Sequence, residues 1–467
     1  MAYIIIRAIT LVMTHDEAYS FYNVKHFWYV ETLCTGNTHW FNFLAIKTAV
    51  ILGFEKASQL RWFTVLCSGV FLTVIYIWLK SLQDLPTKLV AFSVLLLNPY
   101  LVDYLSLARG YAAGLTFQSL SLLLLILFLK FQDKRLGLLS LLMAGASAIA
   151  NFNFFYFFTA FCFIYFPVRY IKTFPQCFRQ VIFYIEIIFT LGIIVLVLKA
   201  LKFITLCSND IGEYGGQELI NSIFFGYIDT YMYGQYQLSG TTINGLAYLL
   251  FSALVIMSVY GIFKYRAHQN KWYTYSSILF LIMIFLCVFN KWFLQVLYPT
   301  YRTTLMFYPL IGLIIIGFMT SLKLPKKAHH LICYIVFIGS AFHFISCINF
   351  SKTFDYYHQE NSKQCLTELQ SIGAKQVGLN GEIFGVYRNY YQMTEHFKYP
   401  FSAEILNTDV VLRDNFDANA IYKYDYLVLF PPYNLKFYYG KNIHLNPIKY
   451  YPETGTLIVR NRVNARY

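Results

Sequence analysis

The stretch GYAAGLTFQSLSLLLLILFL, residues 110–129, runs for twenty residues without a charged side chain. A helix of about 20 apolar residues is long enough to cross the hydrocarbon core of a bilayer. The whole chain shares this character, since 58% of its 467 residues are hydrophobic, 13% are charged and the mean hydropathy is +0.50. Globular domains carry about 25% charged residues. The sequence therefore predicts an α-helical polytopic membrane protein.

Ten further apolar stretches match a spanning helix and bring the expected number of transmembrane helices to about eleven. They are residues 2–13, 60–79, 88–103, 136–150, 152–168, 181–203, 243–263, 274–290, 303–321 and 331–350. The first is short and carries Arg7 at its middle, which indicates that the N-terminus is truncated or that the true start lies upstream. These stretches define a transmembrane domain over residues 1–350.

Basic residues are concentrated in alternate loops between the spans. They are Lys80 and Lys88; Lys130, Lys134 and Arg135; Arg169, Lys172 and Arg179; Lys264, Arg266 and Lys271; and Lys323, Lys326 and Lys327. Cytoplasmic loops of membrane proteins are enriched in Lys and Arg, so these five loops are assigned to the cytoplasm. The same enrichment explains the net charge of +14 better than a basic surface for nucleic acid does.

The remaining loops are then expected outside the cytoplasm. They are residues 14–59, 99–109, 204–242, 291–302 and everything after about 351. The first of them is predicted to form two interfacial helices, at residues 16–33 and 39–52.

After Phe350 the apolar runs shorten and the charge density rises. We predict a small extracytoplasmic α/β domain over residues 351–467. Its elements are expected to be a helix at 363–372 and strands at 376–379, 426–430 and 456–459.

Two adjacent carboxylates, Asp16 and Glu17, follow the first apolar stretch in the segment Thr14-His15-Asp16-Glu17. One interpretation is structural, because acidic side chains stabilise the N-terminus of a helix. The other is that one carboxylate accepts a proton from an attacking hydroxyl. Neighbouring helix residues point about 100° apart, so we assign the base to Asp16 and give Glu17 a supporting role.

Asp103 and Arg109 form a second external cluster beside Pro99, which is expected to end or kink the third span. An exposed ion pair between them would contribute little stability. Their position among nearly uncharged spans favours a functional role instead, and Asp103 joins the candidate catalytic residues.

Arg302, Tyr301 and Lys291 lie where the ninth and tenth spans meet outside water. A guanidinium donates paired hydrogen bonds that suit a phosphate, so Arg302 is the first candidate for that ligand, with Tyr301 and Lys291 beside it. Lys291 has a second interpretation, a side chain that extends to the interface.

Several short motifs together resemble the bacterial GT-C glycosyltransferases, the relatives of protein O-mannosyltransferases and lipid A aminoarabinose transferase. They are His15-Asp16-Glu17-Ala18, Thr38-His39, Arg61 at the second span, Asn98-Pro99 and Arg109-Gly110-Tyr111. The resemblance covers roughly residues 1–350.

This resemblance implies a sugar transferase of the bacterial inner membrane that uses a dolichyl- or polyprenyl-phosphate-linked donor at the external face and inverts the anomeric carbon. It implies Asp16 as the base and Arg109 and Arg302 as ligands of the lipid phosphate, with His15, His39 and Tyr111 at the acceptor or shaping the site. The acceptor is a glycolipid, a surface polysaccharide or a protein.

Two other functions stay open, a polymerase of polyprenyl-linked oligosaccharides and a lipid-linked glycan flippase. No nucleotide-binding motif is present, and no cofactor is expected. His15 and His39 have no metal-binding spacing, so the sequence does not support a divalent metal, although some GT-C members use one.

Overall fold

A computed structural model describes residues 1–26, 39–171, 174, 176–207, 215–236, 238–264, 271–322, 324–394, 399–406, 423–429 and 445–461. The chain divides into two compact units. The first contains Met1–Ile5, Tyr29–Ala45 and Arg61–Ile348, and the second contains Ile6–Trp28, Ile46–Leu60 and Asn349–Tyr467.

The described helices run in chain order as follows: α1 Ala2–Thr10, α2 His15–His26, α3 Trp40–Ile51, α4 Ala57–Leu60, α5 Trp62–Ser81, α6 Leu85–Leu96, α7 Pro99–Ser106, α8 Gly110–Phe131, α9 Lys134–Ala150, α10 Phe155–Tyr170, α11 Val181–Cys207, α12 Gly226–Met232, α13 Gly240–Phe263, α14 Lys271–Leu294, α15 Tyr308–Ser321, α16 Lys326–Ser346, α17 Ser362–Ser371 and α18 Gly381–Val386. Short 3₁₀ segments occur at Phe152–Phe154, Gln176–Arg179, Tyr301–Phe307 and Tyr357–Gln359, and π-helical turns at Asn221–Phe225 and Tyr387–Tyr391.

Within the described ranges, eight helical segments are long and apolar enough to span a bilayer, and the bent pair α6–α7 makes nine. The chain is thus an integral membrane protein, as its composition predicts. Of the expected eleven spans, α1 is too short, because its 9 residues are about 13.5 Å long at 1.5 Å per residue. Helix α9 has 17 residues and a length of about 25.5 Å, the lower limit for a span.

The pair α6–α7 bends by 58° at Asn98-Pro99. Proline cannot donate the hydrogen bond of a helix interior, but it fits the first turn of a new helix. The side-chain oxygen of Asn98 accepts from the backbone N–H of Tyr100 at 2.9 Å and caps α7. The break therefore starts a new helix, α7, which carries Asp103.

Glycines let the spanning helices of the first unit pack closely. A Cβ on Gly312 would lie 2.4 Å from Leu95, and one on Gly317 would lie 2.3 Å from the ring of Tyr273. Small residues at such interfaces allow close approach of membrane helices. Packing of α15 against α6 and α14 therefore depends on these two positions.

The charged residues Arg169 and Glu186 are buried between α10 and α11. Glu186 pairs with Arg169 at 2.8 Å and accepts hydrogen bonds from the hydroxyls of Tyr165 at 2.9 Å and Tyr170 at 2.6 Å. A buried charge is tolerated when it is paired and hydrogen-bonded, so Glu186 serves packing.

The second unit contains a five-stranded sheet of order β2-β1-β3-β5-β4, in which β1 pairs in parallel with β2 and β3 while β5 pairs antiparallel with β3 and β4. The strands are β1 Gln376–Asn380, β2 Ser402–Leu406, β3 Tyr426–Leu429, β4 Leu445–Tyr451 and β5 Thr456–Asn461. Helix α17 and strands β1, β3 and β5 confirm the predicted elements, whereas β2 and β4 were not predicted. The mixed order confirms a small α/β domain.

Candidate active site

Glu17 belongs to a capping box at the start of α2. The backbone N–H of Thr14 donates to Glu17 Oε2 at 3.1 Å, and the N–H of Glu17 donates to Thr14 Oγ1 at 3.3 Å. Such a reciprocal pair satisfies N–H groups that have no partner within the helix. The contacts of Glu17 are therefore those of a residue that fixes the first helical turn.

Asp16, one residue earlier in α2, has a different partner. Its Oδ2 accepts a short hydrogen bond from the hydroxyl of Tyr356, and the Asp16 side chain is buried, with 5% of the residue exposed. His15 Nδ1 lies 3.8 Å from Asp16 Oδ1. Two neighbouring carboxylates thus have different surroundings, one serving the helix and one facing a tyrosine.

The segment that follows α16 makes several more contacts with α1 and with the start of α2. Arg7 Nη1 donates to the carbonyl of Asn349 at 2.6 Å, and Arg7 Nη2 donates to the carbonyl of Lys352 at 3.0 Å. The N–H of His15 donates to Gln359 Oε1 at 2.7 Å. Arg7 is therefore tolerated in an apolar helix because backbone carbonyls accept hydrogen bonds from its guanidinium.

Helix α18 also approaches α2 closely. A Cβ on Gly385 would lie 2.1 Å from the His15 ring, so a larger residue there would displace the imidazole. The imidazole of His15 consequently packs against a helix of the sheet domain, next to Asp16.

In the first unit, Asp103 lies on α7 and is 1% exposed. The hydroxyl of Tyr233 lies 2.9 Å from both carboxylate oxygens. A hydrogen bond of this kind stabilises the charged form of a carboxylate. Asp103 is therefore held in a fixed orientation inside the protein.

Arg109 occupies the N-cap position of α8 and is also 1% exposed. The preceding turn is fixed because the amide of Asn42 donates to the carbonyl of Ala108 at 2.6 Å. A Cβ on Gly110 would lie 2.2 Å from the carbonyl oxygen of Ala150. The Arg109-Gly110 motif thus requires glycine for packing, while Arg109 is carried into a buried position.

Aromatic rings connect the turn around Arg109 to His39. The His39 and Tyr111 rings meet edge to face at 5.4 Å, Tyr111 meets Tyr104 at 4.7 Å, and Tyr104 meets Tyr100 at 5.2 Å. The structure therefore brings together Tyr111 and His39, two of the residues predicted to shape the site.

Tyr301 and Arg302 begin the 3₁₀ segment Tyr301–Phe307, which is capped by a reciprocal pair between Thr300 and Thr303. Tyr301 has a left-handed backbone with φ of 45° and is 39% exposed. Arg302 is half-buried. Lys291 Nζ donates to Gln217 Oε1 at 2.6 Å, so its ammonium contacts a neutral amide near the end of α14.

The predicted residues thus fall into two groups, each within its own unit. His15, Asp16 and Glu17 belong to the second unit, and the seven others to the first. Sequence reasoning missed Tyr356 and Tyr233, which lie 340 and 130 residues from their carboxylates. With 41 tyrosines in the chain, no spacing singles these two out.

Across the part of the chain that the structure describes, no group of three or more His, Cys, Asp or Glu side chains is arranged to hold a metal ion. Whether a metal ion takes part therefore depends on the reaction that the site catalyses.

No family model and no curated protein matches the sequence. Solved structures do match the fold, among them ArnT from Cupriavidus metallidurans in the apo state and bound to undecaprenyl phosphate. Their TM-scores are 0.56 and 0.52 at 8% identity, and the matches cover 98% of this chain and 95% and 96% of the ArnT chains. The chain therefore has the fold of ArnT, and the GT-C-like membrane fold that its motifs led us to expect is confirmed.

Proposed function

We propose that this protein is a membrane glycosyltransferase that moves a sugar from a polyprenyl-phosphate-linked donor to an extracytoplasmic acceptor. The observation that carries the proposal is the fold that this chain shares with ArnT over 98% of its length. One of the matching ArnT structures was solved with bound undecaprenyl phosphate. The buried, hydrogen-bonded carboxylates Asp16 and Asp103 and the arginines Arg109 and Arg302 support it from the residues themselves.

The reaction proposed is a single displacement. The oxygen of an acceptor hydroxyl forms a bond to the anomeric carbon while the bond from that carbon to the phosphate oxygen breaks. The hydroxyl proton passes to Asp16, and the electron pair of the broken bond leaves with the polyprenyl phosphate. One displacement inverts the anomeric configuration. Asp16 suits the base because its neighbour Glu17 is committed to capping α2.

The leaving phosphate gains negative charge in the transition state, and preorganised cations stabilise such charge. We assign Arg302 and Arg109 to this task, with Tyr301 beside Arg302. Lys291 is the weaker candidate, because its ammonium already donates to Gln217. Asp103 is proposed to accept a hydrogen bond from a hydroxyl of the transferred sugar, and His39 and Tyr111 to shape the acceptor side. We expect that no cofactor is required.

The orientation proposed from the basic loops places this chemistry outside the cytoplasm. Single cysteines at Ser239 and Lys326, two exposed positions, test it in a cysteine-free background with a membrane-impermeant thiol reagent. Intact cells should label the cysteine at 239 and leave the one at 326 unlabelled until the membrane is opened. Equal labelling of both in intact cells contradicts the orientation.

Transfer itself is tested with purified protein, undecaprenyl-phosphate-linked radiolabelled sugars and, as acceptor, an envelope fraction of the host that contains its lipids, surface polysaccharide and proteins. The wild type should transfer label from at least one donor. Arg302→Lys should raise the KM for the donor and Arg302→Ala should raise it further, because lysine replaces a paired donor only as a point charge.

Lys291→Ala is the matched control, since it removes a cation from the neighbouring segment and should change the donor KM far less than Arg302→Ala. A wild type that transfers from none of the donors contradicts the proposed function. An Arg302→Ala effect confined to the acceptor contradicts the assignment of Arg302 alone.

A further inference from the structure

Helix α12, Gly226–Met232, runs between two strained tyrosines. Tyr233 follows its last residue with φ of 54°, and Tyr301, which meets its first residue, has φ of 45°. A left-handed backbone is costly for any residue with a Cβ, and it persists where surrounding contacts fix it. Each tyrosine belongs to the candidate site, one through Asp103 and one as the neighbour of Arg302.

The C-terminal end of α12 is fixed on Asp103. The N–H of Tyr233 donates to the carbonyl of Asp229 at 3.1 Å, which closes the last helical turn. Because the backbone then turns left-handed, the phenol reaches the Asp103 carboxylate, 2.9 Å from each oxygen. Burial of the phenol and carboxylate together leaves this contact little freedom.

The N-terminal end of α12 is fixed on the segment that carries Arg302. A Cβ on Gly226 would lie 2.9 Å from the backbone nitrogen of Tyr301 and 3.5 Å from its Cα. One residue later, the Tyr227 ring stacks on Tyr308 with centroids 6.1 Å apart. The contact at Gly226 is between backbones, so no side-chain rotation can relieve an added methyl group.

A third contact holds α12 near its C-terminal end, at Tyr231. His343 Nε2 lies 2.6 Å from the carbonyl oxygen of Tyr231, and the two rings are 4.8 Å apart. Helix α12 is therefore attached to α16 as well as to α7 and to the 3₁₀ segment at Tyr301. Seven residues of helix are about 10 Å long, and rigid attachment at both ends sets that spacing.

We propose that Tyr233 is a positioning residue for Asp103, and that α12 fixes the distance between Asp103 and the phosphate-binding segment Tyr301–Arg302. This inference rests on the proposed function and adds a structural reason for its precision. Tyr233 orients the carboxylate toward a sugar hydroxyl, while Gly226 keeps the phosphate end of the same donor at a set distance. Neither residue takes part in bond making.

Other ionisable groups face this contact and enter any pH profile. Asp229 lies one turn back on α12, and burial raises its pKa. Cys347, just after α16, is near enough that burial first, and the charge of Asp103 further, raise the pKa of its thiol. His343 packs against Tyr231 of α12, and its Nε2 lies 3.8 Å from Cys347 Sγ. Variants that leave Asp229, Cys347 and His343 unchanged therefore isolate the effect of the Tyr233 phenol.

The first variant is Tyr233→Phe, which keeps the ring and the backbone and removes only the hydroxyl. Loss of the hydrogen bond disfavours the charged carboxylate, so the acid limb of kcat should move to higher pH and kcat should fall about tenfold. The donor KM should change little. Tyr273→Phe is the control, because that hydroxyl donates only to the Met257 carbonyl at 2.5 Å in the described contacts.

The second variant is Gly226→Ala, which should raise the donor KM about tenfold, the scale on which small misplacement of a binding group acts, and leave the acid limb in place. Gly245→Ala is its control, since a Cβ there meets no atom within 4 Å. Melting temperatures of all four variants, measured in detergent, show which remain folded.

The outcomes separate the two proposals. If the wild type transfers sugar and Tyr233→Phe has the wild-type pH profile and kcat, the positioning role is wrong while the proposed function stands. If Gly226→Ala is folded and keeps the wild-type donor KM, the spacing role is wrong. If the wild type transfers from no donor, the proposed function fails, and the positioning role with it.

Discussion

Asp16 and Asp103 are both buried and both accept a hydrogen bond from a tyrosine, yet their supports are built differently. Asp16 lies on an ordinary first helical turn that the Thr14–Glu17 box closes locally. Asp103 depends on Tyr233, whose backbone is left-handed. Strain at a residue signals that its position matters more than its own stability. This difference fits a carboxylate that reacts at Asp16 and a carboxylate that must stay in place at Asp103.

The largest expected effect separates the two carboxylates directly. Asp16→Asn keeps the shape of the side chain and removes its basicity, so transfer should fall by about 10²- to 10⁴-fold, the usual contribution of a general base. Asp103→Asn should reduce transfer less, about tenfold, because an amide still accepts one hydrogen bond.

The measurement is initial transfer rate at saturating donor, with melting temperature as the control for folding. A smaller loss for Asp16→Asn than for Asp103→Asn would exchange the roles assigned to the two residues.

A smaller effect is expected at the tyrosine beside Asp16. Tyr356→Phe removes the hydroxyl that donates to Asp16 Oδ2, so the acid limb of the transfer rate should move to higher pH and the rate should fall about tenfold. The test is a pH–rate profile in which Tyr357→Phe is the control, since Tyr357 is the neighbouring, half-exposed tyrosine. Identical profiles for both variants would remove Tyr356 from the site.

The smallest effect concerns Glu17, whose contacts are structural. Glu17→Ala should lower the free energy of unfolding by about 1 kcal/mol, as lost helix caps do, with transfer at low temperature nearly unchanged. Glu17→Gln should be close to wild type in stability, because glutamine completes the same capping box. Thermal unfolding and transfer rates of the two variants check this. Loss of transfer in Glu17→Gln at full stability would make Glu17 a reacting carboxylate.

Composition and apolar length were sufficient to predict the helical membrane domain, and short apolar runs were sufficient to predict β1, β3 and β5. These elements follow from local burial of side chains, which the sequence states directly. The count of spans was less accurate, because α1 is apolar but shorter than a bilayer and α9 is at the lower limit of length for a span. Strand β4 contains Pro447 and an irregular register, features that weaken a strand pattern.

The candidate site was predictable only in its charged residues. Charged residues are uncommon in an apolar chain, and they therefore mark Asp16, Asp103, Arg109 and Arg302 as candidates. Their partners are ordinary tyrosines far away in sequence. The capping role of Glu17 could have been found, since Thr-x-x-Glu is a known signal. The left-handed turn at Tyr233 could not, because nothing in a tyrosine predicts positive φ.

The central claim is that this protein consumes a polyprenyl-phosphate-linked sugar, and the most direct test is the lipid that accumulates when it stops working. Membrane lipids of cells that lack the protein, and of cells that carry only Asp16→Asn, are compared by mass spectrometry with those of the wild type. The account predicts that both strains accumulate the same polyprenyl phosphate bearing a single sugar, and that the wild-type protein restores the normal level. Accumulation of a polyprenyl-linked oligosaccharide instead, or no change in any lipid-linked sugar, contradicts it.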